Sequence, residues 1–170
     1  MFWKVYARKV KKHLKNYIWQ CFLATVAVFI ILMIFNLYDE AVIVAAFGST
    51  AFTAFAMPKS WMARSRNIIG GHLIGILVGV SMSFLYRINW TVVSVPLFDN
   101  VAHVLIAALS ITFAMFLMIF LDYEHAPAAG TALALTITPF SLNTIFFVIF
   151  VAFGIAVFKW FFRDHLIDLV

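Results

Sequence analysis

The chain has 170 residues, of which 65% are hydrophobic and 11% charged, with 12 Lys and Arg against 7 Asp and Glu. Together with a mean hydropathy of +1.05, this is more apolar surface than a water-soluble domain of this length can hide, so the sequence describes an integral membrane protein. The formal charge of +5 does not mark a nucleic-acid partner, because six of the basic residues are gathered ahead of the first apolar run.

Residues 1–16 read as a basic amphipathic segment lying in the membrane interface. Trp3, Tyr6, Val10 and Leu14 fall on one helical face, while Lys4, Arg8, Lys11, Lys12 and Lys15 lie elsewhere, as a helix beside anionic lipid requires. Residues 17–170 then form a single transmembrane domain. Its first apolar run, Tyr17 to Leu37, covers 21 residues and has no small-residue cleavage pattern behind it, unlike a secretory signal. Cys21 is the only cysteine, so no internal disulfide forms.

Three further long runs follow: Asn67 to Tyr86, Val101 to Leu121 and Asn143 to Phe158. In lipid the backbone must satisfy its own hydrogen bonds, and the period-two alternation of a β-barrel is missing, so these runs are helices. Two shorter runs, Ala41 to Met57 and Ala126 to Thr138, complete an all-α fold of six hydrophobic segments, four long and two short or broken. The last of these reaches about 20 Å at about 1.5 Å per residue, against a hydrocarbon core of about 30 Å.

The short runs look related. TAFTAFAMP (Thr50 to Pro58) can be laid on TALALTITP (Thr131 to Pro139), and after each proline a short loop leads to an asparagine, Asn67 or Asn143, that opens a long span. The reading is a unit of long, short and long segments used twice, over about residues 17–86 and 101–160. If all six segments cross, eleven Lys and Arg share one side and Arg87 alone lies on the other; if the short ones dip and return, the count is nine against three. The positive-inside rule favours six crossings with a cytoplasmic N-terminus, which makes the two halves inverted repeats of the kind transporters use.

The candidate site lies in EHAPAAGTALALTITP (Glu124 to Pro139). Pro127 suits a helix start, so a short helix opening near Ala126 presents N–H groups and a positive dipole end beside His125, an arrangement that favours an anion. Gly130 allows close approach, and Thr131, Thr136 and Thr138 offer hydroxyls, unless these merely satisfy their own i−4 carbonyls. Thr50 is the counterpart of Thr131 in the first half. Gly71, Gly75 and Gly79 form a groove that lets a neighbouring helix come close; Asn67 stands at the entrance of that span with His72 about two turns further in. No Asp, Glu, Lys or Arg lies inside the six segments, so a solute must be held by dipoles, hydroxyls and His72, His103 or His125. Nucleotide-binding glycine loops, HExxH and cysteine clusters are all missing, which speaks against an enzyme, a cofactor and a metal site. A site made of His72, His125, Asp122 and Glu124 is the arrangement a metal enzyme would need.

RNIIGGHLIGILVGV (Arg66 to Val80), HAPAAGTALAL (His125 to Leu135) and FGSTAFTAFAMP (Phe47 to Pro58) resemble, in order, three blocks of the HPP family of small integral membrane proteins. One position departs: Ala126 stands where the family's name motif has proline, so residue 126 keeps its N–H. The family is usually drawn with four spans, against the six segments counted here. The resemblance implies transport of nitrite, an activity associated with chloroplast and cyanobacterial members. The residues themselves point only to a small monovalent or neutral solute.

The expected function is therefore transport of a small anion, nitrite, through a site built from His125, Pro127, Gly130 and Thr131 with Asn67, Gly71 and His72 of the other half, and Thr50 as a symmetric addition. The alternative is a non-transporting scaffold that binds a partner through its glycine face. Expected partners are the lipid bilayer, the anion and, through small-residue faces, further copies of the chain. The expected location is a prokaryotic plasma membrane.

Overall fold

In a computed structural model describing residues 2–35, 41–87, 96–139 and 141–169, each apolar run is a helix. These are α1 (Phe2–Phe35), α2 (Ala41–Ala56), α3 (Ser65–Tyr86), α4 (Pro96–Phe120), α5 (Ala126–Ile137) and α6 (Leu142–Phe162), with single 3-10 turns at Trp61–Ala63 and Arg163–His165. The described residues contain no strand. Ser65–Tyr86, Val101–Phe120 and Leu142–His165 are long and apolar enough to cross a membrane, while Leu14–Ile30, Val42–Ala56 and Ala126–Ile137 are shorter apolar helices.

Several boundaries differ from expectation, among them the start of α4 at Pro96 instead of Val101. The interfacial segment and the first span are one unbroken helix, α1, because neither glycine nor proline interrupts Phe2 to Phe35. The side chains of Trp3, Tyr6, Val10 and the basic residues up to Lys12 lie outside the described residues, as do Asp39 and Glu40. At the other end of the chain, α6 continues past Phe158 to Phe162 and carries Lys159, 8% exposed, inside the bundle. No Asp, Glu, Lys or Arg falls inside Asn143 to Phe158, but the helix extends beyond that run and takes in Lys159. A lysine is tolerated there because its Nζ donates to the Ala63 carbonyl.

Successive helices run in opposite directions. Gln20 of α1 donates to the carbonyls of Phe55 and Ile167, the Lys59 N–H donates to Asp168, and Arg66 pairs with Asp122. The first turns of the Tyr17 to Leu37 run, the α2–α3 and α4–α5 connections and the C-terminal segment thus meet at one end of the bundle. At the opposite end Arg87 donates to the Thr138 carbonyl at 2.6 Å.

The principal packing pairs are α3 with α5, α4 and α6, α2 with α5, α1 and α6, α4 with α5, and α1 with α6. Exchanging α1 with α4, α2 with α5 and α3 with α6 leaves this list unchanged. The α3–α5 pair is the most intimate, and glycine explains why. A Cβ at Gly75 would stand 2.6 Å from the Ala128 carbonyl oxygen, and one at Gly79 would stand 2.8 Å from that of Ala132. The stripe of Gly71, Gly75 and Gly79 is thus a backbone-to-backbone seam.

Candidate functional site

The turn before α5 sets the geometry of the site. At the end of α4 the Tyr123 N–H donates to the Met118 carbonyl at 2.8 Å and the Asp122 N–H to that of Ile119 at 3.3 Å. Asp122 takes φ 61°. This is a Schellman cap with a left-handed residue, and Tyr123 packs against the cluster that holds Met118. The cap turns the chain so that Tyr123 covers Gly70 and His125 Cβ covers Gly71, where an added Cβ would lie 2.7 Å away. Helix α5 then opens at Ala126 with Pro127 in its second position and His125 as the residue before it.

His125 is 1% exposed, as is His72; Thr50 and Thr131 are fully buried. The four form one hydrogen-bonded chain across α2, α3 and α5. Thr131 Oγ1 lies 2.9 Å from His72 Nδ1, His72 Nε2 lies 3.0 Å from Thr50 Oγ1, Thr50 Oγ1 lies 3.2 Å from His125 Nε2, and His125 Nδ1 lies 2.8 Å from the Met62 carbonyl.

Proton counting orders this chain. A carbonyl only accepts, so His125 Nδ1–H donates to Met62, and in the neutral imidazole Nε2 is then an acceptor. Thr50 therefore donates to His125, accepts from His72 Nε2–H, and His72 Nδ1 accepts from Thr131. With both rings neutral every donor is matched to an acceptor. The Ala46 carbonyl, 3.0 Å from Thr50 Oγ1, is a second destination for the Thr50 proton. When the hydroxyl turns to it, the bond from Thr50 to His125 Nε2 is given up.

The remaining expected residues lie around this chain. Asn67, fully buried, donates from Nδ2 to the Glu124 carbonyl at 3.2 Å and so holds the entry to α5; its Oδ1 meets no hydrogen-bond partner among the described residues. Gly130 packs on Ala46 of α2, an added Cβ coming within 3.3 Å. Thr136 and Thr138 donate to their own i−4 carbonyls, of Ala132 at 2.7 Å and Ala134 at 2.8 Å, and Thr136 also reaches the Gly79 carbonyl at 3.5 Å. Asp122 is drawn to Arg66 at the exposed end, and His103 sits 4.7 Å from the Tyr86 ring on the other half of α3. The start of α5 keeps few donors, since Pro127 has no N–H and that of Ala128 closes on the His125 carbonyl at 2.9 Å.

Sequence reasoning missed two participants. Phe47 stacks on His72 with ring centroids 5.2 Å apart, and the Met62 carbonyl fixes the His125 tautomer. A hollow of about 150 Å³ lies at the α5 start, bordered by Met62, Met115, Met118, Ile119, Glu124, His125 and Ala126.

A family model described as HPP, transmembrane region, matches residues 9–161. A transmembrane protein of Dictyostelium discoideum is 31% identical over 93 residues, which are 54% of this chain and 29% of that protein. The chain thus matches less than a third of the length of this curated relative. No solved structure matches the chain.

Proposed function

The chain belongs to the HPP transmembrane family, and on that footing we propose that it carries a small anion, nitrite, across the membrane through the junction of α2, α3 and α5. The observation that carries the reading is the buried Thr131–His72–Thr50–His125 chain. It places hydroxyl and imidazole donors at a point where both short helices meet a long one, beside a hollow at the α5 start. Thr50 and Thr131, equivalent in the two halves, both bond to His72. This equivalence and the exchange-invariant packing list support a pair of inverted halves whose short helices also cross, with the basic end of the bundle cytoplasmic.

The conformation described here is closed. The four side chains satisfy one another, and the hollow at the α5 start touches His125 alone of the four. Nitrite accepts hydrogen bonds and carries one charge, so His72 Nε2–H and the Thr50 and Thr131 hydroxyls can exchange their mutual bonds for bonds to it. Hydrogen bonds to a charged group are each worth about 1.5–3 kcal/mol, more than the neutral bonds given up. Entry requires α5 to shift against α2. That contact includes small residues, Gly130 on Ala46, whereas the α3–α5 seam is locked backbone to backbone.

The scaffold alternative loses its surface, because the glycine face that would bind a partner is already filled by α5. Liposomes holding the purified chain test the proposal. Nitrite flux above that of protein-free liposomes, abolished when Thr131→Val and His72→Ala are combined, supports a permease. Flux equal to the protein-free level in every version overturns it.

A further inference from the structure

A second hollow, of about 370 Å³, opens at the end of the bundle where α6 finishes, and its lining includes Lys59, Ser65, Lys159, Trp160, Arg163 and Asp164. We propose that it seats a phosphate group, supplied by the headgroup of an anionic phospholipid. The inference does not depend on the transport reading.

Charge is the first argument. Three cations line the hollow against one carboxylate. Asp164 lies 3.7 Å from Arg163, both side chains more than half exposed, so this contact neutralises little. Asp168, outside the lining, is held by the Lys59 N–H at 2.9 Å. Lys159 is 8% exposed, yet among the described residues its ammonium donates only to the Ala63 carbonyl. Asp168 attracts Lys159 electrostatically but its hydrogen bond goes to the Lys59 N–H; an ammonium carries three N–H bonds, and those beyond the bond to Ala63 are open to an anion.

Geometry is the second argument. Lys159 and Arg163 are four residues apart and share a face at the end of α6. Lys59 approaches from the α2–α3 connection, and Ser65 adds a hydroxyl at the start of α3. Together they can surround a tetrahedral oxyanion with charge-assisted donors.

Position argues for a lipid source. Trp160 is 55% exposed and Phe161 68%, so aromatic rings stand in the surface beside the hollow, at the end of a long apolar helix. Aromatic side chains mark the headgroup level, and basic hollows between helices there bind anionic headgroups.

The test uses the full chain in detergent, titrated with phosphatidylglycerol, phosphatidylcholine or inorganic phosphate, with retained lipid counted by native mass spectrometry and melting temperature recorded. The chain should prefer phosphatidylglycerol by about tenfold or more, and Lys59→Gln with Arg163→Gln should remove about tenfold of that preference. Lys11→Gln with Lys12→Gln, which weakens general attraction to anionic lipid, should leave the preference in place. An unchanged lipid-free melting temperature shows that the paired variant is folded. If it is not, Arg163→Gln alone should cost about threefold. Equal retention of both lipids, or a preference that survives the loss of Lys59 and Arg163, overturns the proposal. So does a full stabilising shift from inorganic phosphate to which phosphatidylglycerol adds nothing, since the seat would then take free phosphate.

Discussion

Thr50 shows how much can rest on a single hydroxyl. It accepts from His72, donates to His125, and has the Ala46 carbonyl as an alternative acceptor. Thr50→Val keeps the shape of the side chain but leaves two buried imidazole nitrogens short of a partner, at a cost of about 1–3 kcal/mol for each unsatisfied group. A drop in melting temperature that Thr50→Ser largely avoids is the expected result. Ala126 makes a different prediction. It is exposed and begins α5, a position where proline is tolerated. Ala126→Pro should leave stability within about 0.5 kcal/mol. If nitrite flux also survives, the residue 126 N–H is not needed for transport. The sequence pointed to His72, His125 and Thr131, but ranked Thr50 as an addition. Its partners lie 22 and 75 residues away, and spacing along a chain says nothing about contacts of that kind. Only the likeness of TAFTAFAMP to TALALTITP hinted at it.

Among the elements, α3 and α5 carry the sharpest expectation. Gly75→Ala drives a methyl group to within 2.6 Å of the Ala128 carbonyl oxygen, whereas Gly48 has nothing within 4 Å of an added Cβ. Thermal or denaturant unfolding in detergent should find Gly75→Ala destabilised by about 1–3 kcal/mol and Gly48→Ala neutral or slightly stabilised, since alanine is the better helix former. Equal effects at the two positions would mean that α5 does not lie in the glycine groove. This groove was legible because a four-residue glycine spacing has one physical use in a helix. The unbroken α1 was not anticipated, since the change from basic to apolar residues near Tyr17 read as a boundary although no glycine or proline interrupts Phe2 to Phe35. Nor was the burial of Lys159. A charge at the edge of an apolar run reads as the end of a span, and only the position of the Ala63 carbonyl shows that the helix can carry it further.

Across the whole molecule, hydropathy sufficed for an all-helical membrane protein, and counting basic residues anticipated which connections gather at one end. The contacts of Gln20 with Ile167 and of Arg66 with Asp122 now place those connections together. With Cys21 replaced by serine, single cysteines at Lys59, Glu124 and Asp164 should all be labelled from one side of a sealed vesicle and a cysteine at Arg87 from the other. Labelling of Lys59 and Glu124 from opposite sides would mean that the helices do not alternate across the membrane. The most direct test of the central claim is nitrite flux into liposomes containing Thr50→Val beside Thr50→Ser. The account predicts that the valine variant falls to the protein-free level while serine keeps most of the wild-type flux. A valine variant that transports as well as wild type would contradict the assignment of the buried threonine–histidine chain as the path of the anion.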